Sequence, residues 1–329
     1  MYSVVGPTLS AARNSPSRTM LSLPPGSIVQ GARWNYRILN PVKGDNTHIS
    51  TVFKADVVPL EDARSALKIP KWAFIKVASP SDAIAMQNLD RERQTYQLPV
   101  TLALEWLDTT LAEVKYLPDI RTYSLIMTFL RAVLTSRVLE DHKYIKPANI
   151  LLSGIKTSRL TAKVGDLGLV VPAGRLFNAQ PYSMRAPEVF LGQACTKLSQ
   201  VWAIAAMLLC WIKPGTFGVR DSPHSLLNEA WSMAKINRLF PHWNIPTPDE
   251  VDRDILKAAL DSANRFSDND ELSELQAILP LDREIQEIEM PQELRDLRLM
   301  LVVNPIGRPS ASSVLASKEF RAFGEIMGV

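Results

Sequence analysis

Short runs rich in β-branched and aromatic residues open the chain's patterned part. Tyr36-Arg37-Ile38-Leu39, Ser50-Thr51-Val52-Phe53-Lys54-Ala55 and Trp72-Ala73-Phe74-Ile75-Lys76-Val77 read as three strands, with order beginning near Trp34. Gly44-Asp45-Asn46, within the stretch Pro41 to Thr47, marks the turn between the first two. Ser79-Pro80-Ser81-Asp82 then opens a helix running through about Tyr96. From Leu111 onward the pattern becomes helical. Leu125, Ile126, Phe129, Leu130, Val133, Leu134, Val138 and Leu139 recur mostly at three- and four-residue spacings, one apolar stripe. Thr247-Pro248-Asp249-Glu250 fits a capping box for a helix over Val251–Ala263, followed by the polar loop Ser267-Asp268-Asn269-Asp270. Pro291–Val303 and Ser310–Phe323 complete a helical second half. A small strand-rich part followed by a large helical one predicts an α+β chain. The expected organisation is a disordered tail over 1–31, a strand-rich lobe over 32–107 and a helical lobe over 108–326.

Composition narrows the class. The chain of 329 residues is 46% hydrophobic, enough for a real core, and its net charge of +3 argues for neither nucleic acid nor an anionic membrane as partner. The longest apolar stretch, Val201 to Ile212, falls short of the roughly 20 residues a membrane span needs and reads as a buried helix. Cys195 and Cys210 lack metal or disulfide spacing and are expected to be reduced thiols; the four scattered histidines give no zinc-type cluster. Residues 1–44 lack Asp and Glu and carry Arg13 and Arg18, a weak transit-peptide pattern. Pro7, Pro16, Pro24 and Pro25 would break such a helix, so a disordered tail and a cytoplasmic or nuclear location are the expectation, with mitochondrial import the lesser alternative.

The chemistry-bearing residues lie in the middle of the chain. Lys146-Pro147-Ala148-Asn149-Ile150-Leu151-Leu152 is followed by Val164-Gly165-Asp166-Leu167-Gly168. Together they resemble the catalytic loop and the magnesium-binding turn of protein kinases. Further matches fall in the family's order: Ala73-Phe74-Ile75-Lys76, Glu92, Leu104-Glu105-Trp106-Leu107, Ala186-Pro187-Glu188, and Asn304-Pro305-Ile306-Gly307-Arg308-Pro309. The resemblance implies a bilobal protein-kinase-like fold with ATP and Mg²⁺ as cofactors. It implies ATP contacts from Val52, Ala73, Lys76, Glu105, Leu107 and Leu151, with Glu92 as the ion-pair partner of Lys76. Asn149 and Asp166 would hold Mg²⁺, Lys146 would be the catalytic-loop lysine, and Glu188 with Arg308 would form a buried structural bridge. Asp166-Leu167-Gly168 and Met184-Arg185-Ala186-Pro187-Glu188 resemble most the branch that includes kinases of Ser/Arg-rich proteins.

Five departures qualify the resemblance. The catalytic aspartate, two residues before Lys146, is replaced by Tyr144. An unperturbed phenol has a pKa of about 10 and is no base at neutral pH. Ungapped, the stretch reads His142-Lys143-Tyr144; gapped, a helix ending near Leu139 leaves only Glu140 to Ile145 before Lys146, as though residues were missing. Asp141 reaches the base position only if the loop re-registers. Gln200 stands where an aspartate would anchor the catalytic loop, and Pro181 where a threonine would bridge the catalytic aspartate and lysine. Asp45, Thr47 and Ser50 occupy the three positions of the glycine-rich loop, whose backbone approach needs glycine. Only twelve residues separate Glu92 from Glu105, where two strands and their turns need roughly twenty. One small-lobe strand is expected to be missing.

These residues imply a pseudokinase, an ATP-binding scaffold or regulator with little or no phosphotransfer. The alternatives are a Ser/Thr protein kinase with residual activity and a truncated form of an active kinase. A protein partner or substrate is implied without being identified; nucleic acid and membrane are not expected.

Overall fold

A computed structural model describes residues 23–31, 34–42, 50–59, 71–79, 81–95, 103–136, 145–157, 159–165, 180–251, 254–268 and 273–328. The architecture is α+β, and the chain divides into two compact units. The first comprises Met1–Arg93 with Gln97–Trp106, the second Gln94–Tyr96 with Leu107–Val329.

The small unit is built on an antiparallel sheet of five strands in the order β1 (Ile28–Gln30), β2 (Trp34–Pro41), β3 (Ser50–Pro59), β4 (Trp72–Ala78) and β5 (Ala103–Glu105). Order therefore begins earlier than Trp34: Ile28, Val29 and Gln30 pair with Arg37, Tyr36 and Asn35. Strand alternation turns Tyr36, Ile38, Phe53, Ala55, Ala73 and Ile75 into one buried cluster, the core of this unit. Helix α1 (Ala83–Thr95) starts where expected, because the Asp82 carboxylate accepts the Ala85 N–H at 2.9 Å. Ala85 and Glu92, seven residues and two turns apart, are both buried on one face of it. Among the described residues no strand lies between α1 and β5, and β5 pairs directly with β4, Ala73 opposite Glu105 and Ile75 opposite Ala103. Residues 96–102, where the strand expected to be missing would stand, lie outside the described residues.

After the short helix α3 (Pro187–Phe190), the large unit is mainly helical around α4 (Lys197–Ile212), which is apolar nearly all round and buried from Ser199 to Leu209. Thr196 caps it, its hydroxyl accepting the Ser199 N–H at 3.2 Å. Helices α2 (Ile120–Leu134), α5 (Asn228–Leu239) and α6 (Asp254–Asp268) contribute to the same core as α4. A three-stranded sheet of β6 (Thr109–Thr110), β7 (Ile150–Ser153) and β8 (Thr161–Val164) carries the motif residues.

Several boundaries differ from the periodic pattern. α2 ends at Leu134, not near Leu139: the Thr135 hydroxyl donates to Arg131 O at 2.7 Å, and Ser136 N–H reaches Val133 O in a tightened final turn. Val138 and Leu139 lie outside the described residues. Eleven positions, 135 to 145, therefore separate this helix from Lys146. With the helix ending at Leu134, the ungapped reading, with Tyr144 in the aspartate's place, has eleven positions before Lys146 and not six. The capping box at Thr247 exists, with Thr247 N–H donating to Glu250 at 2.6 Å, yet it closes one 3-10 turn. Val251 is extended, and α6 begins only at Asp254. The stretch Pro291–Val303 is not one continuous helix: the helix Gln292–Asp296 tightens into a 3-10 turn and stops at Met300. The carbonyls of Val302 and Val303 are taken by the Arg308 guanidinium instead of by helical N–H groups. The stretch Ser310–Phe323 is two helices, Ala311–Ala316 and Lys318–Ile326, separated by extended Ser317.

Candidate functional site

In the small unit, Lys76 on β4 donates to Glu92 on α1 at 2.7 Å, with both side chains at most 9% exposed. A buried pair this close is stabilising only as a pair, since removing one partner strands the other's charge. Val52 lies directly opposite Lys76 in the β3–β4 register, and Lys54 lies opposite Phe74. Ala73 does not join them. Strand alternation puts Lys76, Phe74 and Trp72 on one face, whereas Ala73 and Ile75 point into the buried cluster of Tyr36, Ile38, Phe53 and Ala55. The expectation that Ala73 lines a ligand surface beside Lys76 is corrected accordingly: the residue on that face is Phe74. Counting in twos from Lys76 would have found it.

Lys54 places its ammonium 3.8 Å from the centre of the Trp72 ring and 4.4 Å from that of Trp106. These distances are within cation–π range of both indoles. Glu105 pairs through its backbone with Ala73, and the Trp106 N–H donates to Trp72 O at 3.5 Å. Leu107 is half-buried and is the first residue of the large unit's longer segment.

In the large unit, Lys146 precedes a single 3-10 turn, Pro147–Asn149, for which Pro147 supplies the preset φ. Asn149 is 3% exposed. Its N–H donates to Lys146 O at 2.9 Å, and its carbonyl accepts the Gly165 N–H at 2.8 Å. The backbone of Asn149 is thereby tied to the residue just before Asp166. Glycine at 165 lets the Leu151 side chain pack close, since a Cβ there would meet it at 2.7 Å and push it aside. Leu151 sits on β7 opposite Thr110 and Lys163. Asp166, Tyr144, Asp141, Asp45 and Thr47 lie outside the described residues, and of Ser50 only the backbone is described.

The Glu188–Arg308 bridge is present: Arg308 donates to both Glu188 oxygens, at 2.7 and 2.9 Å, fully enclosed. Ser199 adds a third bond to Glu188 at 2.9 Å. Gln180, which sequence reasoning did not single out, joins Ser199 O through its amide nitrogen and accepts the Ala186 N–H, each at 3.0 Å. No sequence motif marks it. Gln200 is 1% exposed, and neither its amide oxygen nor its nitrogen has a hydrogen-bond partner among the described residues. Pro181 brings no hydroxyl. Tyr182 stacks on Phe190, and its ring lies under the Arg185 guanidinium at 4.5 Å.

The thiols offer no nucleophile. Burial pushes Cys195 up to about 11, with the nearby Glu188 carboxylate acting the same way, and burial alone carries Cys210 to about 11. Among the described residues no group of three or more His, Cys, Asp or Glu could hold a metal, and no helix is long and apolar enough to cross a membrane.

No protein-family model matches the chain. The stress-activated protein kinase JNK of Drosophila melanogaster is 26% identical over 157 residues, 44% of this chain. That alignment spans only 40% of the curated relative's length. A crystal structure of a kinase domain superposes with a TM-score of 0.62 over 92% of this chain and 98% of that one, at 17% identity. The chain has the protein kinase fold. Its protein kinase fold supplies the frame for the ion pair of the small unit and the motif turn of the large one. At 17% identity, the structural likeness speaks for that fold alone.

Proposed function

We propose that this protein is a pseudokinase, a kinase-fold scaffold or regulator that contacts ATP weakly and transfers little or no phosphate. The observation carrying this reading is Tyr144 two residues before Lys146, where the general base of the family would stand. The end of α2 at Leu134 supports the ungapped register in which Tyr144 takes that place. Loss of a general base costs about 10²–10⁴ in rate. Pro181, and Gln200 with an amide unpartnered among the described residues, stand in place of two groups that would position the same loop.

The nucleotide half of the proposal rests on retained residues. Lys76, held by Glu92, would meet phosphate oxygens, and Asn149 and Asp166 would hold Mg²⁺, which when bound offsets phosphate charge. Val52, Leu107, Leu151 and the Glu105 backbone are the other positions that the resemblance assigns to the nucleotide's surroundings. The Lys76–Glu92 pair favours a second reading, a Ser/Thr kinase with residual activity, because phosphoryl transfer depends mostly on positioning and electrostatics.

A transfer assay with labelled ATP, Mg²⁺ and a Ser/Arg-rich peptide separates the two. The proposal expects no product above the level of an Asp166→Ala control, and a measurable gain for Tyr144→Asp combined with Gln200→Asp. Transfer by the unaltered chain that disappears in Asp166→Ala would overturn it.

A further inference from the structure

The face of β4 that carries Lys76 also carries Phe74, and this has a consequence for what that face can hold. A nucleotide presents two parts: a polyphosphate, which a lysine can pair, and a flat base, which needs open apolar space beside it. On a strand, the next side chain along the same face lies two residues away, about 7 Å. From Lys76 toward Trp72 that neighbour is Phe74. The small residue of the stretch, Ala73, is buried on the opposite face at 3% exposure.

The position across from Phe74 is filled too. Lys54 is its cross-strand partner on β3, and its ammonium is held between Trp72 and Trp106. Its aliphatic stem therefore cannot swing freely away. The row next to Lys76 and Val52 holds a phenyl ring and a restrained lysine stem, where a base would need a gap.

We infer that Phe74 is a specificity-determining residue that excludes the purine base from the Lys76 face while leaving polyphosphate contact to Lys76. This rests on the proposed reading of Lys76 as a phosphate partner, and the two fail separately. The physical expectation is that the unaltered protein gains nothing from a base. Removing the ring should open room for one and add the stacking and burial that a planar ring contributes.

The test is titration of the full chain with Mg-ATP and, in parallel, with magnesium tripolyphosphate, followed by calorimetry. The unaltered protein should bind ATP no more tightly than tripolyphosphate. Phe74→Ala should bind ATP about tenfold more tightly than before, with tripolyphosphate affinity unchanged. Phe74→Val, which keeps a β-branched residue in the strand, should move in the same direction and serves where the alanine variant folds poorly. Preference for ATP over tripolyphosphate by tenfold in the unaltered chain would overturn the inference, as would ring-removing variants that gain no ATP affinity. Lys76→Met tests the underlying reading: retained tripolyphosphate binding in that variant would sink the phosphate-partner role without touching the comparison between ligands.

Discussion

Gln200 poses the sharpest energetic question in the chain. Its amide is buried in α4, yet neither polar atom is paired among the described residues. Leaving such a group unsatisfied costs about 1–3 kcal/mol, whereas an apolar side chain of similar shape costs nothing of the kind. Gln200→Met should therefore hold or raise stability by about 1 kcal/mol, read as a higher urea midpoint at unchanged slope. A loss above that size would mean that the amide has a partner that matters. The identity of Gln200 as the replacement for an anchoring aspartate was legible from Leu198-Ser199-Gln200-Val201-Trp202 alone. Its lack of a partner was not, because satisfaction of a buried amide depends on residues far away in sequence. Ala73 was misread for a simpler reason: a motif match treats four consecutive residues as one unit, while a pleated strand divides them between two faces.

Among the elements, type was read more safely than extent. The strands at Tyr36, Ser50 and Trp72 and the helix after Asp82 all form, since β-branched runs and an acidic cap are local signals. The ends of helices were less visible. Val138 and Leu139 continue the apolar spacing of α2, but the Thr135 hydroxyl bonds back to Arg131 and the helix stops first. At Ser310–Phe323 the pattern hid a break. Ser317 is extended, and its hydroxyl accepts the Phe320 N–H at 3.1 Å, so it caps the second helix. Ser317→Ala should then cost about 1 kcal/mol, the value of a lost N-cap. Inside a continuous helix the same change would stabilise, so the sign of the shift in thermal midpoint decides between one helix and two.

For the molecule as a whole, Arg308 is the residue that joins distant parts of the large unit. It donates to Glu188, Leu198 O, Val302 O and Val303 O, and so ties the end of the segment near Ala186, the start of α4 and the C-terminal helices together. Lysine cannot reproduce this fork of planar donors. Arg308→Met should destabilise the protein by about 3–5 kcal/mol, measured by urea unfolding, because Glu188 would remain buried without a counter-charge. A cost near that of an exposed ion pair would show that the bridge is incidental. Glu188 and Arg308 were legible as partners only through the family resemblance; no spacing rule links residues so far apart.

That distance has a consequence during synthesis. Glu188 leaves the ribosome 120 residues before Arg308. At about 5–20 residues per second, the carboxylate waits roughly 6–24 s for its partner. Over that interval burial of Glu188 is unfavourable, and the segment around it has reason to stay open. The arrival of Arg308 in the nascent chain thus sets when the Glu188 carboxylate can be buried with its counter-charge in place.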